Sequence, residues 1–204
     1  MLFSPPGAAS QRIRTRLWGD HQAENIVVAW QLVSEALCRL GRKFDPAHAR
    51  RGIAESLWPG RFEVIALRPA IVLDGAHNEA SAAVLKRALE RFFPGKRLVF
   101  VVGVSSDKDI VGICRELVPC ASCVVVTRAG SPRAASCEQI LSIAARYSTA
   151  CAWKIERDVG GALRSAVREA GHRGVVVVTG SLFVVGEARD RLVPRQNRPK
   201  KCYT

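Results

Sequence analysis

From residue 64 to residue 179, short runs of apolar residues alternate with longer segments of helical periodicity. Two of the runs, residues 99–102 and 175–178, are apolar at every position. A strand forms such a continuous apolar run when both faces of its sheet are covered, as in parallel sheets with crossover helices. Because strands and helices alternate, the sequence predicts an α/β fold with a mostly parallel sheet and helices on both faces.

Six strands and four helices follow from this alternation. The strands are predicted at residues 64–67, 70–73, 97–102, 123–127, 151–155 and 174–179. The helices are predicted at residues 79–93, 108–117, 136–147 and 158–170. The dipeptide Arg68-Pro69 separates the first two strands, since proline interrupts regular structure.

The first part of the chain contains two further predicted helices. Apolar residues recur at three- and four-residue spacing through residues 19–40, and Gly41 fits the end of that helix. Asp45 followed by Pro46 fits the start of a second helix, which reaches about residue 56. If these helices belong to a larger domain, one apolar stripe would be exposed, formed by Ile26, Val27, Trp30 and Val33.

A cluster of helix-breaking residues, Trp58-Pro59-Gly60, predicts a domain boundary. It divides the chain into a helical segment with an irregular amino terminus, residues 1–57, and an α/β domain, residues 58–191. Residues 192–204 are basic and lack an apolar pattern, so they are predicted to form a disordered tail.

Composition excludes several classes of protein. The net charge is +13, but Lys and Arg are spread along the chain without interleaved aromatic residues, so we do not expect nucleic acid as a partner. No apolar stretch is long enough to span a membrane and no secretory signal pattern is present, so we expect a cytoplasmic protein without a membrane partner. The seven cysteines include the pair Cys120 and Cys123, but no second pair completes a zinc or redox motif.

The most informative turn, Asp-Gly-Ala-His-Asn at residues 74–78, joins a predicted strand to a helix. Ligands of open α/β sheets bind at the carboxyl ends of strands, where such turns lie. Asp74 could hold a metal, a metal-bound water or an amine, and His77 could orient a phosphate or a carboxylate. An alternative is purely structural, because Asn78 could cap the helix and Asp74 could accept hydrogen bonds from the turn.

Two other turns should share this edge of the sheet, residues 103–109 and residues 179–181. Both supply hydroxyl groups and backbone donors. The sequence contains no G-x-x-x-x-G-K-[ST] loop, so a nucleotide triphosphate would have to be held by another part of an enzyme.

Several of these segments resemble the folylpolyglutamate synthase/dihydrofolate synthase family of the Mur ligase superfamily. The matching segments include Trp-Pro-Gly-Arg-Phe-Glu at 58–63, Leu-Asp-Gly-Ala-His-Asn at 73–78 and Thr-Gly-Ser-Leu-Phe-Val-Val-Gly-Glu at 179–187. Gly-Asp-His-Gln at 19–22 with Asn25, and Lys108-Asp109, match further landmarks in order. The family usually has proline after the turn at 74–78, where this chain has Glu79.

The resemblance implies a Rossmann-like carboxy-terminal domain of the Mur ligase type, preceded by a helical remnant of the central ATPase domain. It implies an ATP-dependent ligase that adds L-glutamate to a folate-type carboxylate through an acyl phosphate. By motif matching, Asn25, Arg61 and Asp74 correspond to nucleotide-binding positions. Asp74 and His77 are the candidate catalytic residues, and Ser181 is a candidate substrate-binding residue.

The same resemblance implies that ATP and Mg²⁺ take part, with the metal ligands and the phosphate loop in the ATPase domain. We therefore expect folate and L-glutamate as substrates, no metal ligand in this chain and no activity from the isolated chain. A separate chain that carries the ATPase domain is a candidate partner. The alternative is a non-catalytic domain that binds folate or glutamate, or that has a regulatory role.

Overall fold

The computed structural model describes residues 2–3, 10–148 and 150–193. The chain divides into two compact units, Met1–Pro59 and Gly60–Thr204. The predicted basic tail, residues 192–204, lies outside the described residues from position 194 onward. No helix in the described ranges is both long enough and apolar enough to cross a membrane.

The first unit consists of a short ribbon and two helices. Strands β1 (Leu2–Phe3) and β2 (Gln11–Arg12) pair antiparallel, and helices α1 (Asp20–Arg39) and α2 (Pro46–Glu55) follow. Asp45 caps α2, because its side chain accepts a hydrogen bond from the backbone N–H of Ala47.

Its core is small and is built around α1. Ile26 and Trp30 are only 5% and 6% exposed and pack with Ile13, and Trp30 meets Phe44 edge to face at 5.1 Å. The expected apolar stripe is therefore only partly exposed, because two of its members form this core. The exposed large apolar residues of α1 are Val28, Leu32 and Val33.

The second unit is a six-stranded sheet with helices on both faces. Its strands are β3 (Glu63–Leu67), β4 (Ala70–Leu73), β5 (Leu98–Val102), β6 (Cys123–Val126), β7 (Ala152–Ile155) and β8 (Val175–Thr179). Its helices are α3 (Glu79–Phe92), α4 (Ile110–Leu117), α5 (Cys137–Ala144), α6 (Val159–Ala170) and α7 (Leu182–Leu192). The six predicted strands and four predicted helices are confirmed within a few residues, and α7 is additional.

The strand order is β3-β4-β8-β5-β6-β7. Within this sheet, only β3 and β4 pair antiparallel, across the turn at Arg68 and Pro69, and the other neighbours are parallel. The mostly parallel sheet is therefore confirmed. Every residue of β4, β5, β6 and β8 is buried, whereas the edge strands β3 and β7 are partly exposed.

Successive side chains of the strands enter two separate cores. On one face, Phe100 and Val177 pack with α3, α4 and α5. On the other face, Val101 and Val178 pack with α6 and α7. This alternation follows from the two-residue period of a strand, and it explains why the central strands are apolar at every position.

The order of the central strands makes the loops at their carboxyl ends diverge to opposite faces of the sheet. Strand β8 lies between β4 and β5. The chain leaves β4 and β5 for helices on one face, but it leaves β8 for α7 on the other face. Loops that diverge in this way form the usual ligand site of an open α/β sheet.

Candidate functional site

The turn at residues 74–78 is fixed by the carboxylate of Asp74. One oxygen accepts a hydrogen bond from the backbone N–H of Ala76 at 2.9 Å, and the other accepts one from Phe62 at 2.8 Å. The structural alternative for Asp74 is therefore realised. These two contacts tie Asp74 to its own turn and to the segment that precedes β3.

His77 is half-buried, and one of its ring nitrogens is already engaged. Nδ1 lies 2.8 Å from the carbonyl oxygen of Gly75. A carbonyl oxygen can only accept, so Nδ1 carries the proton of this hydrogen bond. In the neutral ring, Nε2 is then the unprotonated nitrogen, which suits it to accept a proton or a hydrogen bond.

Asn78 is the amino-terminal cap of α3. Its side chain accepts a hydrogen bond from the backbone N–H of Ser81 at 2.9 Å, and the hydroxyl of Ser81 accepts one from the backbone N–H of Asn78 at 3.2 Å. The two residues form a reciprocal capping box. The capping interpretation of Asn78 is therefore confirmed.

The segment that carries Arg61 is held against this turn. The backbone N–H of Gly75 donates to the carbonyl of Gly60 at 2.8 Å, and the N–H of Gly60 donates to Glu63 at 2.8 Å. Glu63 in turn accepts hydrogen bonds from Arg189 of α7 at 3.0 Å. The half-buried Arg61 therefore lies in a braced segment next to Phe62, the donor to Asp74.

The turn after β8 meets the other two turns. The backbone N–H of Gly180 donates to the carbonyl of Ala76 at 2.9 Å, and the hydroxyls of Ser105 and Ser181 lie 3.5 Å apart. Gly180 has a φ of 98°, which a residue with a Cβ rarely adopts. Ser181 is buried, and its hydroxyl accepts the backbone N–H of Phe183, so it also caps α7.

The predicted residues fall into two groups. The turns that carry Arg61, Asp74, His77 and Ser181 are joined by these hydrogen bonds at the carboxyl edge of the second unit. Asn25 belongs to the first unit, where it is exposed on α1 and bonds Gln22 at 3.4 Å.

Sequence reasoning did not identify Thr127, which follows β6 near the same edge. Its side chain is fully buried, and its hydroxyl has no hydrogen-bond partner among the described residues. The only signal in the sequence was a hydroxyl residue directly after an apolar strand.

Among the described residues, no three His, Cys, Asp or Glu side chains come together in a way that could hold a metal ion. Of the two carboxylates in the turn at residues 103–109, Asp107 pairs with Lys108 and Arg133, both at 3.0 Å. Asp109 caps α4, because it accepts a hydrogen bond from the backbone N–H of Gly112 at 2.8 Å. Arg61 is suited to phosphate oxygens, because a guanidinium group donates hydrogen bonds to them in pairs.

The cysteines are unpaired thiols in the described chain. Cys38 is exposed, whereas Cys114, Cys123, Cys137 and Cys151 are buried. Burial raises the pKa of Cys114 to about 12 and that of Cys151 to about 11. Such thiols stay protonated near neutral pH and are poor nucleophiles.

Residues 60–182 match the family described as Mur ligase, glutamate ligase domain. The chain belongs to this family. The matched range covers the sheet, its carboxyl edge and the first residue of α7. Members of the family are ATP-dependent ligases that form amides, which agrees with the resemblance of the sequence motifs.

Relatives and solved structures agree with this assignment. A dihydrofolate synthase/folylpolyglutamate synthase of Mycobacterium tuberculosis is 35% identical over 198 residues, which cover 90% of this chain and 40% of that protein. A crystal structure of Mycobacterium tuberculosis folylpolyglutamate synthase, complexed with ADP and AMPPCP, matches with a TM-score of 0.79 at 32% identity. That match covers 89% of this chain and 42% of the other.

A third example is the bifunctional folylpolyglutamate synthase/dihydrofolate synthase of Yersinia pestis, complexed with AMPPNP and Mn ion. It matches with a TM-score of 0.76 at 26% identity, over 91% of this chain and 42% of that chain. This chain therefore spans 40–42% of the length of these relatives.

Proposed function

We propose that this chain is the carboxy-terminal part of an ATP-dependent ligase that adds L-glutamate to a folate-type carboxylate. The observation that carries the proposal is the convergence of the turns after β4, β8 and β5 at the carboxyl edge of the sheet, within the range that matches the family. In this reaction, a carboxylate oxygen takes the terminal phosphoryl group of ATP and ADP leaves. The amine of glutamate then attacks the carbonyl carbon, and phosphate leaves as the amide forms.

His77 is proposed to act on the attacking amine. Its Nδ1 is committed to the carbonyl of Gly75, so Nε2 can accept the proton that the amine must lose. The carbonyl also fixes the orientation of the ring. Asp74 is proposed to position the turn through Ala76 and Phe62 and, by motif matching, to contribute to nucleotide binding.

Arg61 is proposed as the cation that binds phosphate oxygens. The hydrogen bonds of residues 60–63 restrict the backbone that carries Arg61. Less conformational entropy is therefore lost when Arg61 binds a ligand. Asn25 is proposed as a further nucleotide-binding residue, and its exposed amide on α1 is compatible with that role. Ser181 is proposed to seat the amino acid mainly by holding its turn, since its hydroxyl already caps α7.

The proposal includes the domain assignment. Residues 1–57 correspond to helices of the central ATPase domain, and residues 58–191 correspond to the carboxy-terminal domain. The 204 residues contain no phosphate loop, and their described part brings no metal ligands together. We therefore propose that the phosphate loop and the Mg²⁺ ligands come from an ATPase domain, supplied on a separate chain if not on this one.

The test is incorporation of labelled L-glutamate into folate substrates, in the presence of ATP and Mg²⁺. The 204-residue chain is assayed alone and with the phosphate-loop portion of the Mycobacterium tuberculosis relative. We expect product only in the mixture. In the mixture, His77→Gln should lower the rate about 100-fold, the usual contribution of a positioned proton acceptor.

The matched control is His48→Gln, which removes an exposed histidine of α2 and should leave the rate unchanged. Product from the chain alone would contradict the proposed division of the site. Saturable binding of folate or glutamate without product in any mixture would instead support a non-catalytic binding or regulatory domain.

A further inference from the structure

A concavity lies at the opposite edge of the sheet, where β4 and β8 begin. It is an open cavity of about 510 Å³, within the range of small-molecule sites. The first residues of β4 and β8, Ala70 and Val175, form its floor. The strands that join the two edges of the sheet have four or five residues, so the cavity lies about 15 Å from the turns at the carboxyl edge.

The charged residues that line this cavity are all basic. Arg68, Lys96, His172 and Arg173 contribute to its wall, and no carboxylate does. None of the four forms a salt bridge with a carboxylate in the described part of the chain. Neighbouring cations behave differently, since Arg97 and Lys154 both pair with Glu169, at 3.3 and 2.5 Å.

Helix dipoles account for only part of this charge. Helices α3 and α6 end just before Lys96 and His172, and a helix carboxyl end favours nearby cations. Two such ends supply roughly one unit of negative charge in total. Arg68, Lys96 and Arg173 supply three positive charges, so an excess of about two remains without any contribution from His172.

The rest of the wall is apolar. Leu67, which is 77% exposed, and Phe93 line the cavity beside the basic side chains. An exposed leucine and a phenylalanine next to unpaired cations form a surface with two kinds of affinity. Guanidinium groups bind carboxylates and phosphates in pairs, while the apolar wall favours a hydrophobic or aromatic body.

We propose that this cavity is a second binding site, for a small molecule that carries two or more carboxylate or phosphate groups on an apolar body. The site is independent of the ligase reaction, because its residues lie at the other edge of the sheet. Its ligand is recognised by Arg68, Lys96 and Arg173 through charge and by Phe93 through packing.

The test is isothermal titration of the full chain with three probes at constant ionic strength. Benzene-1,3,5-tricarboxylate and citrate carry the same number of carboxylates, and pyrophosphate represents phosphates. We expect saturable binding of benzene-1,3,5-tricarboxylate that is at least about threefold tighter than that of citrate, because only the first offers an aromatic face to Phe93. Pyrophosphate binding tighter than both would contradict the apolar body and reduce the site to one that binds phosphate groups through charge.

The variant Lys96→Gln/Arg173→Gln should weaken the tightest probe at least about tenfold, since it removes two charge-assisted contacts. The control Arg87→Gln/Arg146→Gln removes two exposed cations that do not line the cavity and should change affinity less than about twofold. Equal weakening by both variants would overturn the proposal in favour of general charge attraction. Absence of saturation with every probe would also overturn it. Circular dichroism of each variant establishes that folding is retained.

Discussion

At the scale of single residues, Thr127 has an unusual position. Its hydroxyl is buried without a partner among the described residues, and its backbone carbonyl approaches Gly103 so closely that a Cβ there would lie 2.8 Å from it. A buried hydroxyl without a hydrogen bond costs about 1–3 kcal/mol relative to one that is paired. The isosteric change Thr127→Val should therefore increase the free energy of unfolding by about 1 kcal/mol.

Urea unfolding monitored by circular dichroism measures this change. The comparison is Thr179→Val, which removes a hydroxyl that donates to the carbonyl of Ala76 at 3.4 Å. This variant should not gain stability. A loss of stability on Thr127→Val would mean that the hydroxyl has a partner that matters for folding. The sequence alone could not distinguish the two threonines from each other, because each comes directly after a run of apolar residues.

The residues of the candidate site were predicted unevenly. The turn at residues 74–78 was recognisable because it follows a buried strand, and local rules sufficed to predict that Asn78 could cap α3. The second partner of Asp74 could not be predicted, since the N–H of Phe62 is twelve positions away and approaches only because β3 and β4 form a hairpin. When a side chain has both a local and a distant partner, the sequence predicts only the local one.

At the scale of whole elements, Glu63 and Arg189 connect β3 with α7. Their side chains are 21% and 15% exposed, and Nε of Arg189 lies 3.0 Å from both carboxylate oxygens. Glu63 also accepts the backbone N–H of Gly60. Replacement with Glu63→Ala leaves both donors without their acceptor in a largely covered site. We expect it to lower the free energy of unfolding by about 2 kcal/mol.

The control is Glu138→Ala, which breaks the pair with Arg157. The side chains of that pair are 67% and 86% exposed and 3.9 Å apart, so its loss should cost less than about 0.5 kcal/mol. Chemical denaturation of both variants gives the comparison. Equal costs would mean that the covered pair contributes no more than a solvated one.

The elements themselves were largely predictable. Strands with apolar side chains at every position, such as β5 and β6, stand out against amphipathic helices such as α3. Helix α7 was missed because Leu-Phe-Val-Val is a continuous apolar run, although Leu182 and Phe183 are exposed and Val184 and Val185 are buried. The position of β8 between β4 and β5 could not be predicted either, because the alternation of strands and helices along the chain does not specify which strands are neighbours.

At the scale of the whole molecule, the two units differ in how much they bury. Among the described residues, the core of the first unit is the cluster of Ile13, Ile26 and Trp30, whereas the second unit has a core on each face of its sheet. A chain of about 60 residues buries a smaller fraction of its surface than a larger one and is correspondingly marginal. The first unit also leaves Val28, Leu32 and Val33 of α1 exposed.

We therefore expect the first unit to unfold before the second. Hydrogen exchange followed by mass spectrometry on the full chain measures this order, because amides in α1 should exchange at lower denaturant concentrations than amides in β8. Trp30→Ala should widen the gap, since removing a buried aromatic ring destabilises by about 3–5 kcal/mol and here acts on the smaller core. Simultaneous loss of protection in α1 and β8, in the parent chain and in the variant, would mean that the two units unfold as one cooperative body.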